Sequence, residues 1–142
     1  MIATINRAIA KKREEGEKGF TLIELLVVIL IIGVLAAIAI PVFLNQRQGA
    51  WVAQVQSDIA NAAIAAESYS VKNNGSYAGL TNVALTNVGT LHDNGYNATS
   101  GVLLTVSSTV TAYTFTVTHA NMGVTTWTYS STTGKVAGGP TP

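Results

Sequence analysis

Residues 18–44 read Lys18-Gly19-Phe20-Thr21-Leu22-Ile23-Glu24 and then, from Leu25 to Leu44, LLVVILIIGVLAAIAIPVFL. The second part is twenty residues without a charge. A helix needs about twenty apolar residues to cross the hydrocarbon core of a bilayer. A chain of 142 residues has no room to enclose a helix that is apolar all round. The run therefore reads as a membrane span. Two other readings stay open. Ala37-Ile38-Ala39 has the small residues of a secretory cleavage site, although the apolar core of a signal peptide is usually about 7–15 residues, shorter than this run. An ordinary single-pass anchor has the same composition.

The flanks set an orientation. Five of the eight basic residues precede the run (Arg7, Lys11, Lys12, Arg13 and Lys18), beside Glu14, Glu15 and Glu17. Only Arg47 follows it closely. The positive-inside bias places the N-terminus in the cytoplasm and residues 45–142 outside. The whole chain has a net charge of +1, with 11% charged and 48% hydrophobic residues. Soluble proteins average about 25% charged residues. Low charge with high hydrophobicity argues against disorder, and the near-neutral balance gives no basic footprint for nucleic acid. There is no cysteine, which excludes disulfides and thiolate metal sites.

Glu24 is the anomaly in the apolar stretch. A carboxylate inside a span is costly and seeks a cation or the interface. One reading is a side chain that snorkels to the interface. The other is a charge kept for pairing, and the span itself offers no cation. A cut before Phe20 would create an α-ammonium four residues from Glu24. The amine of one subunit could then neutralise Glu24 of another, an attraction strong enough in low dielectric to set axial register.

The helical pattern continues past the span. Val52, Val55, Ile59, Ala62, Ala66 and Tyr69 form one apolar stripe, while Gln54, Ser57, Asp58, Asn61 and Ser68 fall off it. The Asn73-Asn74-Gly75-Ser76 cluster predicts a helix end near Lys72. Beyond Gly75 the period becomes two. Val102-Leu104-Val106, Tyr113-Phe115-Val117 and Trp127-Tyr129 alternate with Thr and Ser, which predicts half-buried strands at about 102–107, 111–118 and 124–130. Short turns between them suggest antiparallel hairpins. The aromatic face should cover the helix stripe, with threonines pointing away. His119 extends the Tyr113 face and reads as a sheet-edge residue. Residues 77–99 show no period, with at most a short element around 83–88.

Lys18-Gly19-Phe20-Thr21-Leu22-Ile23-Glu24 closely resembles the class III signal of type IV pilins and type II secretion pseudopilins, and the resemblance runs on through Leu25–Ile29 to Pro41. It covers about residues 11–47; the rest resembles that family only in general plan. The resemblance implies an α+β pilin-like fold, a long helix packed on a small antiparallel sheet. It implies a membrane peptidase that cuts between Gly19 and Phe20 and N-methylates Phe20. Glu24, with Phe20, becomes the residue of filament register and assembly. Gly33 and Pro41 bound the stretch that loses helicity in related filaments; both also occur as tolerated residues in ordinary membrane helices.

On this reading 1–19 is a cleaved charged leader, 20–44 the membrane and filament-core helix, and 45–142 an extracellular head. The head comprises helix to about 72, connector 73–100, sheet at about 101–130 and a C-terminal tail. Implied partners are other pilin subunits in a helical homopolymer, the prepilin peptidase, an assembly platform with its ATPase, and the membrane before assembly. DNA or surface receptors are further partners that such filaments contact. Adhesion, motility or DNA uptake would be the service.

A pseudopilin of a secretion or competence system shares every N-terminal feature. A membrane-anchored binding module that never polymerises is an alternative of another class, and an enzyme secreted by cleavage after Ala39 is a third. No residue is expected to be catalytic, cofactor-binding or metal-binding. His92 and His119 lack convergent ligands, and neither a phosphate loop nor a nucleophile elbow occurs. Asn74-Gly75-Ser76 and Asn97-Ala98-Thr99 match the N-x-S/T pattern.

Overall fold

A computed structural model describes residues 19–82 and 88–140. The leader (but for Gly19) and most of the element expected around 83–88 lie outside the described residues. The chain divides after Val42 into two units.

The first unit carries the start of α1, a helix that spans Leu22–Lys72 in all. From Phe20 to Leu44 its large apolar side chains are exposed. By length and composition this helix can cross a membrane. Gly33 and Pro41 both lie within α1, and the helix runs through them. Pro41 has no N–H to give the carbonyl four residues back, so the ladder is one bond short there. Among the described residues a β-carbon at Gly33 would meet nothing within 4 Å, and a glycine in a helix interior costs helix propensity.

The second unit holds the rest of α1, a connector and one sheet. Val55, Ile59, Ala62 and Ala66 are buried and Val52 and Tyr69 half-buried, the stripe read from the sequence. The buried face is wider than that stripe, because Asp58, Ala65 and Ser70 are buried as well. Asp58 was expected off the stripe and is 1% exposed. Its neighbour Ile59 is on the same turn, and polar groups of the connector satisfy the carboxylate. The helix stops where the cluster after Lys72 predicted. Asn74 and Gly75 take φ of 53° and 81°, and the amide of Gly75 donates to the Ser70 carbonyl at 2.8 Å. A left-handed residue past the end is the usual way a helix satisfies its last carbonyls.

The sheet comprises β1 (Val102–Ser108), β2 (Tyr113–His119), β3 (Thr126–Ser130) and β4 (Lys135–Gly138). Its order is β1-β2-β3-β4, antiparallel throughout. β4 falls in the stretch expected to be a tail. Four residues with all side chains exposed give no alternation to read. The strand exists because a turn closed at Gly134 (φ 65°) returns the chain along β3, pairing Tyr129 with Val136. Gly138 and Gly139 also have positive φ, and a β-carbon there would strike the Thr126 carbonyl and the Trp127 ring respectively.

Val102, Leu104, Tyr113, Phe115, Val117 and Trp127 turn inward onto the helix face. Thr105, Thr116 and Thr128 line up across three strands on the outer face, all exposed. Leu80, Leu91 and Tyr96 bring the connector into the same core, and α2 (Thr90–Asp93) is a single helical turn within it. His119 corrects the sheet-edge expectation. It ends an inner strand, is 2% exposed, and stacks on Trp51 with ring centroids 5.6 Å apart.

Candidate processing and assembly segment

Gly19, Phe20 and Thr21 precede the first helical residue and are exposed. Phe20 is 84% exposed, and among the described residues nothing lies within 4 Å of where a Gly19 β-carbon would be. The Gly19–Phe20 bond is thus non-helical and open on the described side. A peptidase needs such a bond, since a helical one must be unwound before it can enter a cleft.

Glu24 has a partner that charge arithmetic did not find. The Thr21 amide donates to Glu24 Oε2 at 2.8 Å and the Thr21 hydroxyl donates to the same oxygen at 2.7 Å. In return the Glu24 amide donates to Thr21 Oγ1 at 3.2 Å. This is a capping box, in which threonine and glutamate three residues apart satisfy each other's free donors at a helix start. Its signature, Thr21-x-x-Glu24 ahead of an apolar run, is present in the sequence. The carboxylate therefore sits in the first turn, where it faces the positive end of the helix dipole. That geometry stands in the chain with Gly19 still attached. Gly33 and Pro41 lie one and two dozen ångströms further along, by about 1.5 Å per residue, and take no part in it.

Two polar sites in the second unit went unread. The Asp58 carboxylate accepts from the Thr99 amide at 2.8 Å, from the Thr99 hydroxyl at 2.6 Å, and from the Tyr96 hydroxyl at 3.4 Å. It pins the end of the connector to the helix. Burial, then the Asp58 charge, holds the Tyr96 phenol well above its ordinary value. Glu67 accepts from Tyr77 at 2.9 Å and Tyr113 at 3.2 Å. The Tyr113 phenol is raised mainly by burial and the Tyr77 phenol mainly by its bond to Glu67. At the other end of this helix face the Arg47 guanidinium lies 6.0 Å from the Phe43 ring centre and 5.2 Å from that of Trp51. The i, i+4, i+8 spacing of those three residues was visible in the sequence and signals one helix face.

Residues 16–40 match the family described as the prokaryotic N-terminal methylation motif. A fimbrial protein of Pseudomonas aeruginosa is 46% identical over 54 residues, 38% of this chain and 35% of that protein. The type IV major fimbrial protein FimA of Dichelobacter nodosus is 55% identical over 42 residues, 30% of this chain and 27% of that protein. Fimbrial protein EcpB of Eikenella corrodens is 46% identical over 52 residues, covering 37% and 33%. The chain thus spans about a third of the length of the curated relatives it matches. No solved structure matches significantly. Its N-terminal segment thus carries a prepilin-type methylation motif and is similar to type IV fimbrial proteins, and its one long helix with an antiparallel sheet is a pilin-like α+β arrangement.

Proposed function

We propose that the chain is the precursor of a pilus subunit. A prepilin peptidase cuts the exposed Gly19–Phe20 bond and methylates Phe20, and the mature subunits assemble into an extracellular type IV filament. The observation that carries this reading is the junction itself: an open, non-helical Gly19–Phe20 bond one residue before a capped apolar helix, inside the methylation motif. The precursor waits in the cytoplasmic membrane with its N-terminus in the cytoplasm. Assembly removes the apolar residues of Phe20–Leu44 from lipid into a core of like helices.

Copies related head to tail make a contact that does not close, so the product is a helical fibre. The new Phe20 amine of one subunit meets Glu24 of another and sets the register. Gly33 and Pro41 weaken the segment that must adapt on leaving the bilayer. Work for extraction comes from a platform and ATPase, because this chain has no nucleotide-binding loop. The chain acts as a structural subunit and not as an enzyme; surfaces, other cells or DNA are what such a filament would touch. The fimbrial names of its relatives favour a pilus over a secretion pseudopilus.

The test is the intact mass of protein sheared from the cells that make it. Processing gives a chain that begins at Phe20 and carries one extra methyl. A chain beginning at Ile40 marks a secreted domain instead, and an uncut chain marks a plain anchor.

A further inference from the structure

We infer that Phe43, Arg47 and Trp51 form a phospholipid-headgroup site, which holds the precursor at a set depth in the outer leaflet. The inference rests on the membrane-spanning reading of residues 25–44. Three observations carry it.

The first is position. The uncharged run Leu25–Leu44 is twenty residues, about 30 Å of helix at 1.5 Å per residue, which equals the hydrocarbon thickness. Phe43 is then at the hydrocarbon boundary. Arg47 lies three residues beyond Leu44, about 4.5 Å further, within a polar layer about 5–8 Å deep on each side. Trp51 is one turn beyond Arg47. Side chains on a helix lean toward its N-terminus, here toward the bilayer, which brings the indole back to the edge of that layer.

The second is charge. Arg47 is the only Lys or Arg between Lys18 and Lys72, and no acid occurs between Glu24 and Asp58. Asp58 is buried and already accepts from Thr99 and Tyr96. The guanidinium is exposed and lies between two aromatic rings. Among the described residues no acid or carbonyl takes its N–H groups, and a guanidinium edge suits the two oxygens of a phosphate.

The third is chemistry. Indole and arginine are the side chains that settle at a membrane–water interface. Trp51 also stacks on His119, whose Nε2 is 3.1 Å from Gln54 Oε1. The end of β2 is thereby tied to the same turn of α1 that carries Trp51.

The experiment uses the full chain in phosphatidylcholine vesicles, with and without phosphatidylglycerol. Lipids carry a spin label either near the headgroup or at mid-chain, and tryptophan fluorescence is read. The expected result is quenching by the headgroup-level label and little by the mid-chain label. Trp51→Phe removes that quenching, since Trp127 is buried. Arg47→Gln loses most of it and abolishes its increase with phosphatidylglycerol, whereas Arg47→Lys keeps the increase. Flotation with the vesicles is measured in parallel. A chain that fails to float overturns the membrane reading itself. A chain that floats but whose fluorescence ignores the headgroup label, or is unchanged in Arg47→Gln, overturns this inference alone.

Discussion

Glu24 and Asp58 are both carboxylates on α1, and their surroundings give them different work. Glu24 is exposed and held by Thr21 in the first turn, so its acceptor capacity is only part used. A new cation can still reach it. Glu24→Gln keeps the side-chain oxygen for the cap and removes the charge. We expect it to remain in the membrane fraction and to give no sheared filaments, measured by immunoblot of both fractions. Filaments at the parental level would remove the register role. Asp58 is buried and accepts from the Tyr96 hydroxyl and from the Thr99 amide and hydroxyl. Asp58→Ala leaves the Thr99 amide and hydroxyl without an acceptor, which costs about 1–3 kcal/mol. The check is a lower urea midpoint for the detergent-solubilised chain. Asp58→Asn should fall between, since it keeps one acceptor oxygen.

At the scale of elements, α1 is one helix of two compositions. Up to Leu44 it has apolar side chains on every side, as a lipid or a bundle of like helices requires. From Val52 it has one buried face, floored by alanines. Ala62, Ala65 and Ala66 are buried in the same core cluster as Tyr113, Phe115 and Trp127. Ala62 is 0% exposed, so Ala62→Leu has nowhere to put three carbons. Overpacking of that kind costs about 1–3 kcal/mol, to be read as a lower melting temperature of the head by near-ultraviolet circular dichroism. The stripe and the strand alternation were legible because each is a local period. β4 was not, because its four exposed residues carry no period and are held only by pairing to β3.

At the scale of the whole molecule, buried tyrosines make the second unit sensitive to alkali. Tyr96 and Tyr113 are buried, and both have phenols raised above the ordinary value. Below about pH 10 the folded and unfolded chains hold these protons alike. Above it the unfolded chain releases them while the folded chain keeps them, so stability falls as pH climbs toward the raised values. Thermal melts of the head should therefore be flat from neutral pH to about 10 and drop beyond it. In Tyr96→Phe the drop should be shallower, even though the variant also loses a donor to Asp58. An unchanged slope would mean that the ring is not protected in the folded head.

What could be read from residues alone was whatever neighbours in the chain decide. The apolar run, the glycine–phenylalanine junction, the glutamate beside it, the amphipathic stripe and the strand periods all depend on spacings of a few residues. The capping box belongs with them, since Thr21 and Glu24 are three apart. Tertiary structure decided the rest. Asp58 meets Thr99 across 41 residues, Tyr113 meets Glu67 across 46, and His119 meets Gln54 across 65. Whether a polar residue is buried depends on donors that only folding brings to it, and no local period records them.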